Sequence, residues 1–157
     1  MMWREGRCIL PCGYTKPDRG PSGGTRGASV QHYLAIAIGG ALGSVLRFAL
    51  NEAVSARFGR AFPWGTLSIN AIGSLLIGLL AILLVERWEV SPAVRLGLMV
   101  GLLGGFTTFS SFSLEVVQLL QTGALLRASL YVAASFTVCI AAAALGIHLA
   151  RVSLGWT

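Results

Sequence analysis

The chain has 157 residues, of which 55% are hydrophobic and only 11% are charged, and its mean hydropathy is +0.74. Soluble domains carry about 25% charged residues, so this composition excludes an ordinary water-soluble enzyme and a disordered protein, and it predicts an integral membrane protein. The net charge of +6 does not indicate nucleic-acid binding, because no basic patch with interleaved aromatic residues accompanies it.

The first 31 residues form a basic tail that is rich in Gly, Pro, Ser and Arg and has no hydrophobic periodicity. We predict that this tail is disordered, and it lacks the apolar core of a secretory signal. The sequence leaves open whether the tail exists in the cell or reflects the choice of start site. Residues 32–157 are predicted to form one transmembrane domain.

Four apolar spans follow the tail, at about residues 33–50, 64–85, 96–114 and 128–150. A transmembrane helix needs about 20 apolar residues, and the connectors between these spans are short. The sequence therefore predicts an all-α, multi-pass membrane protein with four transmembrane helices and both termini on one side.

The basic residues that flank these spans are divided equally between the two sides of the membrane. Orientation follows an excess of Lys and Arg on the cytoplasmic side, so an even division is typical of a protein that inserts both ways and forms an antiparallel dimer. Chance balance of small numbers is the alternative, and the basic tail would favour a cytoplasmic N-terminus. One side has Arg87, Arg95 and Arg151, and the other has Arg57, Arg60 and Arg127.

The third span contains a Gly-Gly pair followed by five hydroxyl residues and three phenylalanines, from Gly104 to Ser113. Glycine weakens a helix by about 1 kcal/mol, and Ser and Thr hydroxyls can satisfy backbone groups that a break releases. We therefore predict that the third helix is broken at mid-membrane. Released carbonyls attract cations and half-helix N-termini attract anions. Close helix packing through small residues is the alternative.

Polar residues recur at every fourth position in the second and fourth spans, which places them on one stripe of each helix. Such stripes either line a wet path or make hydrogen bonds between helices. Phe109 and Phe112 share one face of the third span, and their positive ring edges are able to meet an anion, although aromatic packing is the alternative. The stripes are Thr66, Asn70 and Ser74, and Tyr131, Ser135 and Cys139.

Two charged residues need separate treatment. Arg47 lies well inside the first span, where it either snorkels to the interface or gives a vestibule a positive potential that concentrates anions. We interpret Glu115, at the end of the third span, as an interfacial residue. The sequence has no carboxylate pair, H-E-x-x-H motif or phosphate-binding loop, and we predict that the chain is not an enzyme.

The string GGFTTFSSFS at residues 104–113, followed by Glu115, resembles the signature of the CrcB/Fluc family of fluoride channels. Residues 64–67 (WGTL) with Asn70, and the glycines of the first span with Arg47, are similar to the same family. The resemblance covers about residues 33–150 and all four spans. It implies passive export of fluoride from the cytoplasm across the inner membrane.

The resemblance also implies an antiparallel homodimer with dual topology, in contact with membrane lipid, and two narrow pores at the dimer interface. It implies a structural sodium ion that is not transported, held by the backbone carbonyls of Gly104 and Thr107. Cys139 stands where related chains often have serine, and a thiol is the weaker hydrogen-bond donor. The implied fluoride path is Asn70, Phe109, Phe112, Tyr131 and Ser135, with Arg47 in the vestibule.

Two other functions fit four apolar helices. A small proton-coupled multidrug exporter has the same size and dual topology, but it needs a carboxylate inside the first span, and residues 33–50 contain none. A non-transporting membrane partner subunit would explain the helices and the glycines, but not three uncharged polar stripes.

Overall fold

The computed structural model describes residues 29–84 and 90–155, and the regular structure in these two ranges is helical. The predicted disordered tail lies outside the described residues, apart from its last three positions. Ser29 begins the described chain and is the N-cap of the first helix, which starts at Val30, and the predicted domain boundary at position 32 stays a prediction. The helices are α1 (Val30–Phe58), α2 (Trp64–Ile82), α3 (Pro92–Leu96), a π-helical segment (Gly97–Leu103), α4 (Gly104–Phe106), α5 (Phe109–Gln121) and α6 (Leu125–Ser153).

Four helical stretches are long and apolar enough to cross a membrane: Val30–Phe58, Trp64–Ile82, Pro92–Gln121 and Leu125–Ser153. The four predicted spans are therefore confirmed in number and order. The first, third and fourth stretches run beyond the predicted limits, because each helix continues past its apolar part into polar residues. The connector between α1 and α2 is correspondingly shorter than expected.

The third stretch is discontinuous, as predicted, and the break follows the two glycines. Gly104 and Gly105 are helical. The backbone instead becomes extended at Thr107 (φ −80°, ψ 156°) and Thr108 (φ −151°, ψ 120°). The π-helical turns that precede the break were not foreseen from the sequence. The third span is thus two half-helices that end and begin near the middle of the membrane-spanning stretch.

Glycines allow α1 to cross the π-helical segment at backbone contact. A methyl group on Gly39 would overlap the carbonyl oxygen of Gly97 and lie 2.8 Å from the amide nitrogen of Leu102. Gly101, on the facing segment, would meet the backbone of Ile36 in the same way. Small residues at helix crossings maximise packing where water provides no hydrophobic driving force between helices. This crossing fixes the first half of the third span against α1.

A second glycine contact joins α2 to α6, which form the most extensive helix pair of the molecule. A methyl group on Gly78 would overlap the carbonyl of Ala143, and one on Gly146 would overlap the carbonyl of Leu75. α2 also contacts α1, and the predicted polar stripes of α2 and α6 lie beside the break.

We expect Gly43→Ala to destabilise the fold, because the new methyl group would overlap the Leu102 carbonyl and lie 2.8 Å from the Phe106 amide nitrogen. Overpacking of this kind costs about 1–3 kcal/mol. The matched control is Gly40→Ala, whose methyl group would lie 3.9 Å from its nearest neighbour outside α1, the Gly101 carbonyl oxygen. The measurement is thermal unfolding in detergent, and equal melting temperatures for the two variants would contradict the crossing.

Candidate ion pathway

Asn70 of α2 holds the break in the third span through both ends of its amide. Its Nδ2 donates to the Thr108 carbonyl at 3.0 Å, and its Oδ1 accepts from the Thr108 amide at 2.8 Å. An unpaired backbone group at membrane depth costs several kcal/mol, so the extended backbone at Thr108 depends on this side chain. The second N–H of the Asn70 amide remains available to a further acceptor.

The two threonines of the break satisfy the ends of the half-helices. Both the amide and the hydroxyl of Thr107 donate to the Leu103 carbonyl, each at 2.9 Å. Thr108 is the N-cap of α5, and its Oγ1 accepts from the Ser111 amide at 3.1 Å. Such a cap stabilises a helix by about 1 kcal/mol. The hydroxyl-rich sequence therefore serves first to terminate and restart the helix.

These hydrogen bonds leave two carbonyls of the break without their helical donors. In a continuous helix the Gly104 carbonyl would accept from the Thr108 amide, but that amide donates to Asn70. The Thr107 carbonyl would accept from the Ser111 amide, which donates to the Thr108 hydroxyl. Gly104 and Thr107 are the two residues that the resemblance assigns to sodium. Carbonyl oxygens at a helix C-terminus are suited to a hard cation.

An open groove of about 440 Å³ runs beside the break between α2, the third span and α6. It is lined by four of the five residues of the implied fluoride path, all except Tyr131, and no charged side chain is among its lining residues. The predicted polar stripes of α2 and α6 therefore converge on one groove. The lining residues are Asn70, Gly73, Ser74, Ile77, Met99, Leu103, Gly104, Thr107, Thr108, Phe109, Phe112, Ser135, Phe136, Cys139 and Ile140.

The two predicted pore phenylalanines lie together but differ in burial. The ring centroids of Phe109 and Phe112 are 5.5 Å apart, yet Phe112 is 7% exposed and Phe109 is 71% exposed. Phe112 also packs against Tyr131 at 5.1 Å and meets Phe136 edge-on at 6.2 Å. Phe112 is thus held by an aromatic cluster, whereas Phe109 projects from the open side of the groove.

Glu115, which the sequence predicts to be an interfacial residue, also joins α2 to α6 at one end of the aromatic cluster. Its Oε1 accepts from the Thr66 hydroxyl and its Oε2 accepts from the Tyr131 hydroxyl, each at 2.7 Å. Tyr131 is fully buried and Thr66 is 3% exposed. The sequence contained one signal for this contact, since Thr66 and Tyr131 each begin a polar stripe, but it did not show that both stripes meet a carboxylate.

Ser135 lies one turn from Tyr131 on α6 and lines the groove. Its side chain is buried, and its Oγ has no hydrogen-bond partner in the described part of the chain. Buried hydroxyls are nearly always paired. A small partner that enters the groove, water or an anion, would complete this site.

Two of the predicted site residues do not line the groove. Tyr131 packs against the lining residue Phe112 and donates to Glu115, which does not line the groove either. Arg47 lies in the middle of α1 and is half-buried. Within residues 29–84 and 90–155, the one ion pair joins Arg60 to Glu52 and does not involve Arg47. The vestibule assigned to Arg47 stays a prediction.

The sequence matches the family model described as CrcB-like protein, Camphor Resistance (CrcB), over residues 34–147. The chain belongs to the CrcB family. A relative from Geobacter sulfurreducens, named fluoride-specific ion channel, is 50% identical over 118 residues, which are 75% of this chain and 95% of that protein. A relative of the same name from Magnetococcus marinus is 48% identical over 116 residues, 74% of this chain and 94% of its own.

A third relative, from Opitutus terrae and also named fluoride-specific ion channel, is 50% identical over 124 residues, or 78% of this chain and 93% of that protein. The range matched by the family model, residues 34–147, contains the break and most of each of the four spans. The family resemblance that residues 104–113 indicate is thereby confirmed.

We expect Asn70→Ala to loosen the break, because it leaves the Thr108 amide and carbonyl unpaired, at a cost of roughly 1–3 kcal/mol for each buried group. The matched control is Ser74→Ala, one turn further along the same stripe, which removes no hydrogen bond to the break. The measurement is hydrogen exchange of the Thr108 amide in detergent. Equal protection in the two variants would show that Asn70 does not hold the break.

Proposed function

We propose that this chain is a fluoride channel of the inner membrane, which lets fluoride leave the cytoplasm passively and so lowers its toxicity. The observation that carries the proposal is the uncharged groove at the helix break, where an amide, hydroxyls and two phenylalanines converge. Membership of the CrcB family and the names of three relatives support the choice of ion.

The groove offers hydrogen-bond donors and ring edges to an anion without a fixed positive charge. The remaining N–H of Asn70 and the unpaired Ser135 hydroxyl are donors, and the edges of Phe109 and Phe112 carry partial positive charge. The N-terminus of α5 adds the positive end of a helix dipole beside them. These weak partners are suited to conduction, because an ion must be bound firmly enough to enter and weakly enough to leave.

The membrane potential supplies the driving force for export. A negative interior favours outward movement of an anion by about 2.3 kcal/mol per charge per 100 mV, so a passive path is sufficient. The groove has no lining carboxylate of the kind that a proton-coupled exporter would need, and its converging polar stripes favour a path over a non-transporting subunit.

A second copy of the chain would complete the groove, and we assign the protein to an antiparallel homodimer. Phe109 is 71% exposed and Phe136 is 54% exposed, and both lie on the open side of the groove. The polar side chains and backbone groups that line the groove would be costly to expose to lipid, and a partner copy on the open side would cover them. The even division of flanking basic residues supports opposite orientations for the two copies.

The carbonyls of Gly104 and Thr107 would hold a sodium ion in this dimer. Both have lost their helical donors, and Gly104 lies on the exposed side of the break. The ion would offset the negative end of the first half-helix and supply positive charge at mid-membrane. This role is structural, and the fluoride path does not pass through the ion.

We expect Phe109→Ile to reduce fluoride efflux from proteoliposomes by roughly tenfold or more, because an aliphatic side chain has no positive ring edge. Phe48→Ile is the control, since Phe48 is similarly exposed, at 69%, but lies on α1 away from the groove. A fluoride electrode gives the rate, with chloride as the comparison ion. Absence of fluoride efflux from the folded, unsubstituted protein would refute the proposed function, and efflux that survives Phe109→Ile would refute the aromatic path.

Sodium dependence tests the proposed sodium site at the carbonyls of Gly104 and Thr107. We expect replacement of sodium by N-methylglucamine to lower the dimeric fraction in detergent and the rate of fluoride efflux together. Thr107→Ser should preserve both in sodium, because the ligand is a carbonyl and serine retains the hydroxyl that donates to Leu103. A dimeric fraction and a rate that do not depend on sodium would refute the assignment of Gly104 and Thr107.

A further inference from the structure

Two sulfur-containing side chains line the groove. Cys139 projects from α6 and Met99 from the π-helical segment, and both are half-buried. Cys139 is free, and it is the cysteine among the described residues. Neither sulfur has a role in the proposed conduction of fluoride, which uses amide, hydroxyl and aromatic groups.

The unpaired hydroxyl of Ser135 leaves a hydrogen-bond position open to a small ligand in this part of the groove. Ser135 is 8% exposed, its Oγ has no partner among residues 29–84 and 90–155, and it lies one helical turn before Cys139. A buried hydroxyl without a partner is rare. Small solutes from water that reach Ser135 would also reach the neighbouring thiol.

The two sulfur atoms of the groove favour a soft metal ion. Thiolate and thioether ligands select ions such as Cu⁺ over hard cations, and no carboxylate or imidazole lines the groove to compete for a hard one. The described ranges contain no group of three or more His, Cys, Asp or Glu side chains that would form a full metal cage. Two sulfur atoms suit a monovalent d¹⁰ ion, which commonly accepts two ligands.

We infer that Cys139 and Met99 form a binding site for a soft monovalent metal ion, and that occupation of this site closes the groove to fluoride. The thiol of Cys139 binds as thiolate, and its proton passes to water. The block rests on the proposed function, whereas binding of the metal ion does not. The ion fills space beside Ser135 and removes that hydroxyl from the path.

Silver(I) is the probe, because it is stable in water and its fluoride salt is soluble. The background is the full chain with Cys8→Ser and Cys12→Ser, which leaves Cys139 as the single thiol. Further variants in this background are Cys139→Ser, Cys139→Ala and Met99→Leu. Chloride-free proteoliposomes give fluoride efflux, and elemental analysis after gel filtration gives silver bound per chain.

Each efflux rate is divided by the rate of the same variant without silver, so that effects on basal conduction do not enter. We expect silver to bind the background chain at one ion per chain and to lower efflux by roughly tenfold or more. Both Cys139 variants should lose binding and inhibition. Met99→Leu should raise the silver concentration needed for half-inhibition by roughly tenfold, which corresponds to one lost ligand contact of about 1.4 kcal/mol.

Equal silver binding with and without Cys139 would overturn the site, and binding without inhibition would overturn the block. Inhibition that is unchanged in Met99→Leu would remove Met99 from the site. Failure of every chain to release fluoride in the absence of silver would refute the proposed function and with it the block, while the binding measurement would still decide whether the metal site exists.

Discussion

Backbone groups at membrane depth must find hydrogen-bond partners within the protein, and the whole site of this protein follows from how that requirement is met at one break. The extended backbone at Thr107 and Thr108 survives because Asn70 pairs with both polar groups of Thr108 and because each threonine bonds the end of a half-helix. Without these partners, a continuous helix would be the cheaper arrangement, and no groove would form beside it.

The same hydrogen bonds separate two kinds of polarity at one depth. Capture of the Thr108 and Ser111 amides leaves the carbonyls of Gly104 and Thr107 without donors on one side. The N-terminus of α5 begins on the other side. Partial negative and partial positive charge therefore lie close together in the break without a charged side chain, whose burial in the membrane would be costly.

Close helix crossings position this arrangement. The contact of α1 with the π-helical segment depends on glycine, as does the contact of α2 with α6. Gly73 has the same function at the break itself, because a methyl group there would overlap the Thr107 side chain. Glu115 then links α2, α5 and α6 through two short hydrogen bonds. Hydrogen bonds thus connect the helices near the groove, whereas close backbone contacts at glycines pack the helices together elsewhere.

Composition and hydropathy alone determined the four spans and their order, because a bilayer requires about 20 apolar residues per crossing. The hydroxyl-rich run predicted a break, and the four-residue spacing of Asn70 and Ser135 with their neighbours predicted polar stripes, since helix periodicity is local. Only the tertiary structure decided that the break lies at Thr108 and that Glu115 joins two stripes. Both depend on contacts between residues 38 or 49 positions apart, which local propensity does not encode.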